Sequence, residues 1–146
     1  MDRSEIIEAL NNDLRAELSA VEMYALHAEA ITDDIIAQGV RAIMVVEQRH
    51  ARDLVERIRA LGGTPVEPGG GETAMGRAAA AASAQTSTEE MLRLELAEEQ
   101  QAIKDYATQI AEIMDDEETL DMLEEHLLDE MQHARWMKAH IARQRK

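Results

Sequence analysis

Two Glu-x-x-His repeats, Glu47-Gln48-Arg49-His50 and Glu130-Met131-Gln132-His133, carry the most readily named chemistry in this sequence. On a helix, residues three apart share one face about a turn apart, so each repeat offers a carboxylate and an imidazole to the same point. Such donors ligate divalent metals. Carboxylate-rich sets with imidazole suit iron or manganese, and zinc can occupy the same groups. Chance could supply two such pairs in a chain this rich in glutamate, so their meaning depends on the elements that hold them.

Those elements read as helices throughout. Aromatic residues are 2% of the chain, Phe is absent, and nine Met join many Leu, Ile and Ala, which favour helix over strand. Helix seams alternate by three and four residues. The first, about 3–31, opens on an Asp2/Glu5 capping pattern and runs Ile7, Leu10, Leu14, Glu17, Val21, Tyr24, Ala28, Ile31. A second, about 35–61, is capped by Asp33 or Asp34, runs Ile36, Val40, Ile43, Glu47, His50, Leu54, Ile58, Leu61, and stops at Gly62-Gly63. A third, about 88–114, starts at Ser87/Glu90 and runs Leu92, Leu96, Glu99, Ile103, Tyr106, Ile110, Ile113. The last, about 117–143, runs Leu120, Leu123, Leu127, Glu130, Ala134, Met137, Ile141 with His133 beside it. Between the second and third, residues 62–87 hold Pro65, Pro68, the Gly69–Gly71 run and the Ala78–Ala82 tract. That connection can travel the height of a bundle and let the helices on either side of it run parallel. The expected fold is therefore all-α: one domain over 1–146, an antiparallel four-helix bundle with one long crossover.

One carboxylate interrupts the middle of each seam. Glu17, Glu47, Glu99 and Glu130 each lie within about two residues of a helix midpoint, so a bundle brings them to one level. Four carboxylates in a dry core repel one another and lose hydration unless they take up protons or bind cations. Two divalent cations would neutralise them. With His50 and His133 the six form the carboxylate-bridged dinuclear pattern of helical bundles: Glu47 and Glu130 bridge, Glu17 and His50 complete one ion's shell, and Glu99 and His133 complete the other's. Tyr24, seven residues after Glu17, can reach the site as a hydrogen-bond donor or electron source; both Tyr24 and Tyr106 also read as core tyrosines. His27, His126 and His140 lack a seam carboxylate three residues earlier and read as surface or packing residues. Asp129, beside Glu130, reads as a supporting or solvated group.

Charge and composition narrow the partners. The formal net charge is −15, which argues against nucleic acid or an anionic membrane and suits cations. The absence of cysteine excludes thiolate chemistry and iron–sulfur or rubredoxin-type sites. No stretch approaches a membrane span, and the start of the chain does not read as a signal peptide, so a cytoplasmic protein is expected.

The sequence resembles the bacterioferritins of the ferritin-like superfamily in Ala16-Glu17-Leu18 through Tyr24-Ala25-Leu26-His27-Ala28 and in Glu47 to His50 continuing to Leu61-Gly62-Gly63-Thr64-Pro65. Further likeness lies in Glu89-Glu90-Met91-Leu92-Arg93 and in Asp129-Glu130 to Trp136. The resemblance puts the family's dinuclear ligands on Glu17, Glu47, His50, Glu99, Glu130 and His133, and implies oxidation of Fe2+ by O2 or H2O2 at a di-iron cofactor. Three departures shape the expectation. Gln48 stands where the family has its haem Met, with Met44 a turn away, so no haem is expected. The chain ends thirteen residues after His133, without the family's short fifth helix. Ala42, Met44, Val45 and Val46 make apolar the face that in the family is polar, which fits a homodimer or another homo-oligomer better than a 24-subunit shell. The expected activity is a ferroxidase-type oxidation serving iron handling or peroxide defence. The alternatives are a shell-forming storage protein, a rubrerythrin-like peroxidase domain with an external electron donor, and a metal-free helical interaction module.

Overall fold

The computed structural model describes residues 1–68 and 71–145, and five helices lie within them: α1 (Arg3–Ala30), α2 (Asp34–Ala60), α3 (Gly71–Ser83), α4 (Thr88–Glu112) and α5 (Glu117–Gln144). Capping side chains fix where the long helices begin. Asp2 accepts from the Glu5 amide while the Glu5 side chain reaches back to the Asp2 amide, which satisfies two otherwise orphaned donors at the start of α1. Asp33, Ser87 and Asp116 cap α2, α4 and α5. At the end of α2, Gly62 takes φ 86°, a left-handed conformation that a side chain would strain.

Contacts between side chains fix the topology. Tyr24 meets Glu99 while Tyr106 meets Glu17, so α1 and α4 run antiparallel. Arg57 bonds Asp116 and Thr119 near the end of α2, and His50 meets Asp129 further along, so α2 and α5 are antiparallel too. Arg145 near the end of α5 reaches Glu89 at the start of α4. Consequently α2 and α4 run parallel, which requires the long crossover.

The crossover is not a plain loop. Its second half forms α3, a fifth helix beyond the four that the seams mark out. The Ala78–Ala82 tract has high helix propensity but shows no apolar stripe to a reader of the sequence. Within it Ala80 is buried and joins the apolar cluster with Met23 of α1 and Met91 of α4. Gly69 and Gly70 of the glycine run lie outside the described residues, as does Lys146 at the basic end of the chain.

The core is two apolar clusters with a polar layer between them. One gathers Tyr24, Ile36, Val40, Ile43, Leu92, Met137 and their neighbours. The other gathers Leu10, Leu14, Leu54, Ile58, Tyr106, Leu123 and theirs. Gly39 allows α2 to approach α5: a Cβ there would lie 2.1 Å from Cζ2 of Trp136. His27, expected at the surface or in packing, is fully buried, with Nδ1 2.6 Å from Glu95 Oε2 and Nε2 2.7 Å from Ser83 Oγ, so it ties α1 to α4 and to the end of α3. His126 and His140 are buried as well.

Buried Asp13 is the counterpart of Glu95 at the other end of the layer, and its Oδ1 accepts from Gln109 at 2.8 Å. Burial, partly countered by that Gln109 bond, pushes its carboxyl from 3.8 up to about 8. Asp13 Oδ2 is buried without a partner, and a proton there lowers the cost of burying it. Between pH 3.8 and 8 the folded chain thus holds a proton that the unfolded chain has lost, so this group makes stability fall as pH rises.

Two stability measurements follow from this packing. Gly39→Ala will displace Trp136 and lower stability by roughly 1–3 kcal/mol, despite the ~1 kcal/mol that Ala gains over Gly in a helix; thermal unfolding gives the loss, and the emission of this single tryptophan gives the displacement. Asp13→Asn will flatten the pH dependence of metal-free protein. Its melting temperature will gain on the parent steadily from pH 5 to pH 8, and parallel curves would show that Asp13 does not hold the proton.

Candidate metal centre

All six residues singled out by helix spacing come together in the polar layer. α1 supplies Glu17, α2 supplies Glu47 and His50, α4 supplies Glu99, and α5 supplies Glu130 and His133, and every one of them is buried. His50 Nδ1 lies 3.4 Å from Glu17 Oε1, 3.7 Å from Glu47 Oε2 and 3.3 Å from Glu130 Oε1. His133 Nδ1 lies 3.1 Å from Glu47 Oε1, 3.4 Å from Glu99 Oε1 and 3.5 Å from Glu130 Oε1. Donor atoms about 2.1 Å from a shared cation stand roughly 3.0–3.4 Å apart; four of these six separations fall in that range and the other two, 3.5 and 3.7 Å, lie just beyond it, in two sets that share Glu47 and Glu130.

Each of the six side chains also keeps one donor atom without a partner. Glu17 Oε2, Glu47 Oε1, His50 Nδ1, Glu99 Oε2, Glu130 Oε1 and His133 Nδ1 are buried without a hydrogen bond. Leaving one such group unsatisfied costs about 1–3 kcal/mol, and more where charge is involved. Six converging on one another make a site that fits two oxygen- and nitrogen-ligated divalent ions. Among the described residues, the groups able to hold a cation are these: Glu17, Glu47, His50 and Glu130, then Glu47, Glu99, Glu130 and His133.

Without cations the layer redistributes protons. Burial first, and then the neighbouring Glu47, pushes Glu17 up to about 8. Burial also pushes Glu99 up to about 10, against the pull of His133. Burial opposes ionisation of Glu130 too, but His133 and His50 outweigh it and hold that carboxyl below its ordinary range. For the imidazoles, burial favours the neutral form; the surrounding carboxylates, Glu130 foremost, outweigh it, raising His50 well above its usual value and His133 to about 11.

Tyrosines orient Glu17 and Glu99, the two carboxylates that belong to one set each. Tyr24 donates to Glu99 Oε1 at 2.5 Å, and Tyr106 donates to Glu17 Oε1 at 2.6 Å, so each spans from its own helix to the other's glutamate. Tyr24 therefore reaches the site through Glu99, and Tyr106, read as a core residue, has the equivalent contact. A signal for this was present in the sequence: Asp13, Glu17, Tyr24 and His27 recur 82 residues later as Glu95, Glu99, Tyr106 and Gln109, while Glu47 and His50 recur 83 residues later. Asp129 touches the site through His50, whose Nε2 is 2.8 Å from its Oδ2, and Arg49 pairs with the same carboxylate. His126, which sequence reasoning set aside, stacks on His50 with ring centroids 3.9 Å apart. A cavity of about 40 Å³ reaches Glu17, Glu47, Glu99 and Glu130 between α1 and α4. Ala16, Ala20 and Ala102 wall it, and Glu98, Gln101 and Asp105 stand around it as further polar lining.

Known proteins carry the same architecture. A curated bacterioferritin from Desulfovibrio desulfuricans is 32% identical over 80 residues, which are 52% of this chain and 44% of that protein. One from Streptomyces coelicolor is 43% identical over 65 residues, 42% of this chain and 38% of that protein. The alignments thus span less than half the length of these relatives. Among solved structures, a ferritin-like diiron-carboxylate protein from Bacillus anthracis superposes with TM-score 0.76 at 27% identity, over 97% of this chain and 99% of that one. The bacterioferritin of Rhodobacter capsulatus, solved with a metal-free dinuclear site and haem iron, gives the same score and identity over 97% of this chain and 86% of its own. The dodecameric thioferritin of Bacteroides fragilis has the same fold, with TM-score 0.81 at 22% identity over 99% of this chain and 90% of that one. Residues 7–146 match the family described as the ferritin-like domain, and the chain belongs to that family.

Proposed function

We propose that the chain is a single ferritin-like domain that binds two iron ions through Glu17, Glu47, His50, Glu99, Glu130 and His133 and oxidises Fe2+ with O2 or H2O2. The observation that supports this reading is the convergence of six buried side chains, each with an unpartnered donor atom, into two overlapping sets. Four carboxylates balance two divalent charges, so loading removes the repulsion that the empty layer relieves only by holding protons. Manganese or zinc suits the same donors, but only iron or manganese carries redox chemistry.

In this reading Fe2+ is the substrate. Two Fe2+ give up one electron each; O2 takes both electrons and two protons to become H2O2, or H2O2 takes them with two protons to become two waters. The protein's part is to bind and orient. Glu17 and Glu99, protonated when metal-free, release their protons as cations arrive, so protons compete with metal at low pH. Tyr106 and Tyr24 each hold one oxygen of these carboxylates and leave the other free. The 40 Å³ cavity gives a small oxidant a way to the ligands between α1 and α4, through a mouth whose carboxylates favour cations.

Haem does not enter this mechanism. Gln48 is exposed and offers an amide where an axial thioether would be needed, and Met44 packs against an apolar cluster. For assembly, exposed Val45 and its neighbours on α2 favour a homodimer.

Anaerobic titration will load two Fe2+ per chain, and addition of O2 or H2O2 will oxidise both within one turnover, followed by stopped-flow absorbance. Glu47→Ala combined with His50→Ala will abolish stoichiometric binding and slow oxidation by at least about 100-fold, as expected when ligands to both ions are lost. Unchanged binding and rate in that variant would end the dinuclear reading. Size-exclusion chromatography with light scattering will give about twice the 16.3 kDa chain mass, whereas a shell would run at hundreds of kilodaltons.

A further inference from the structure

The internal repeat makes His50 and His133 equivalent, yet their surroundings differ. His50 is held on two sides besides its metal-facing atom. Its Nε2 lies 2.8 Å from Asp129 Oδ2, which Arg49 also binds, and its ring face stacks on His126 at an interplanar angle of 25°. His126 is itself fixed, with Nε2 3.0 Å from Asp53 Oδ2. For His133 the equivalent of Asp129, 83 residues earlier, is Val46, and the equivalent of His126 is Ile43. Neither can accept a hydrogen bond. Both line, with His133, Gly39, Ala42 and Trp136, a cavity of about 260 Å³. No partner for His133 Nε2 is present among the described residues, and its side chain is 10% exposed against 0% for His50.

A carboxylate on the far nitrogen of a ligating imidazole keeps the proton there, leaves the near nitrogen's lone pair for the metal and raises its basicity. Losing such a partner typically weakens metal binding 10–100-fold. We infer that the two metal positions are unequal: Asp129 is a positioning residue that makes the Glu17/His50 position the tight one, and Val46 leaves the Glu99/His133 position weak. This rests on the dinuclear reading above and goes beyond it, because it predicts a state in which one divalent ion is retained while the other exchanges.

The test is an anaerobic Co2+ titration of the full chain, with ligand-field absorbance counting both ions and competition against a chelator giving the two dissociation constants. Neighbouring cations repel, so two steps alone do not discriminate; the variants do. Val46→Asp supplies the missing carboxylate and will tighten the weaker step about tenfold. Asp129→Asn will weaken the tighter step about tenfold, so both variants narrow the gap from opposite sides. Trp136, the one tryptophan of the chain, lines the cavity beside His133, and its quenching will follow the weaker step. If Val46→Asp unfolds, as helical circular dichroism would reveal, Asp129→Asn alone decides, since Asp129 is partly exposed. A gap unchanged within twofold in the folded variants, or quenching that follows the tighter step, overturns the inequality. Fewer than two Co2+ bound by the parent chain would instead overturn the dinuclear reading and this inference with it.

Discussion

Four glutamates from four helices meet with two imidazoles in one buried layer, and the rest of the architecture is arranged around that conflict. Burying like charges at one level is unfavourable by several kcal/mol for each, so no folding pressure alone would place them there. The fold tolerates the layer because apolar clusters on both sides supply the burial that holds the helices together. Charge inside the layer is then managed locally, by protons in the metal-free chain and by divalent cations in the reading proposed here. Asp13 and Glu95 extend the same problem by one turn in each direction, and each is answered by a partner from the opposite helix, Gln109 or His27.

The long crossover follows from the same layer. Glu17 and Glu99 can each be steadied by the other helix's tyrosine only if α1 and α4 run antiparallel side by side. With α1 and α2 antiparallel neighbours, α4 must then run parallel to α2, and a chain cannot turn from one to the other within a few residues. Helix α3 turns part of that traverse into structure. Its end is tied to the core through Ser83 and His27, so the connection is joined to the same polar network it makes necessary.

Much of this was legible because a carboxylate in the middle of an apolar stripe is conspicuous in a sequence. Periodicity gave the four long helices, and midpoint arithmetic brought Glu17, Glu47, Glu99 and Glu130 to one height without any motif for Glu17 or Glu99. The caps at Asp2 and Ser87 were legible for a similar reason: side chains that accept amide hydrogen bonds have few other uses at those positions. Helix α3 was not, since a run of alanines has no face and only tertiary contact reveals that Ala80 is covered. His27 and His126 carry no such signal, because neither has a carboxylate three residues earlier on the same helix. Their partners lie on other helices, Glu95 on α4 and Asp53 on α2, and no local spacing encodes such a pairing.

The two halves of the bundle are most alike where they must be and differ where they can. Around Glu17 and Glu99 the repeat is close to strict: Tyr24 and Tyr106 make equivalent hydrogen bonds that fix one oxygen of each glutamate and leave the other unpartnered. Around the imidazoles the constraint is weaker, since Nδ1 already has its three carboxylate neighbours on either side. Substitution at Val46 and Ile43 therefore leaves the ligand geometry of His133 in place while removing what fixes the far side of its ring. A near-symmetric scaffold in this way gives two imidazoles different surroundings while both face Glu47 and Glu130. That difference comes from Asp129 and His126 on one side and Val46 and Ile43 on the other, none of them part of a Glu-x-x-His motif, which is why the motif could not contain it.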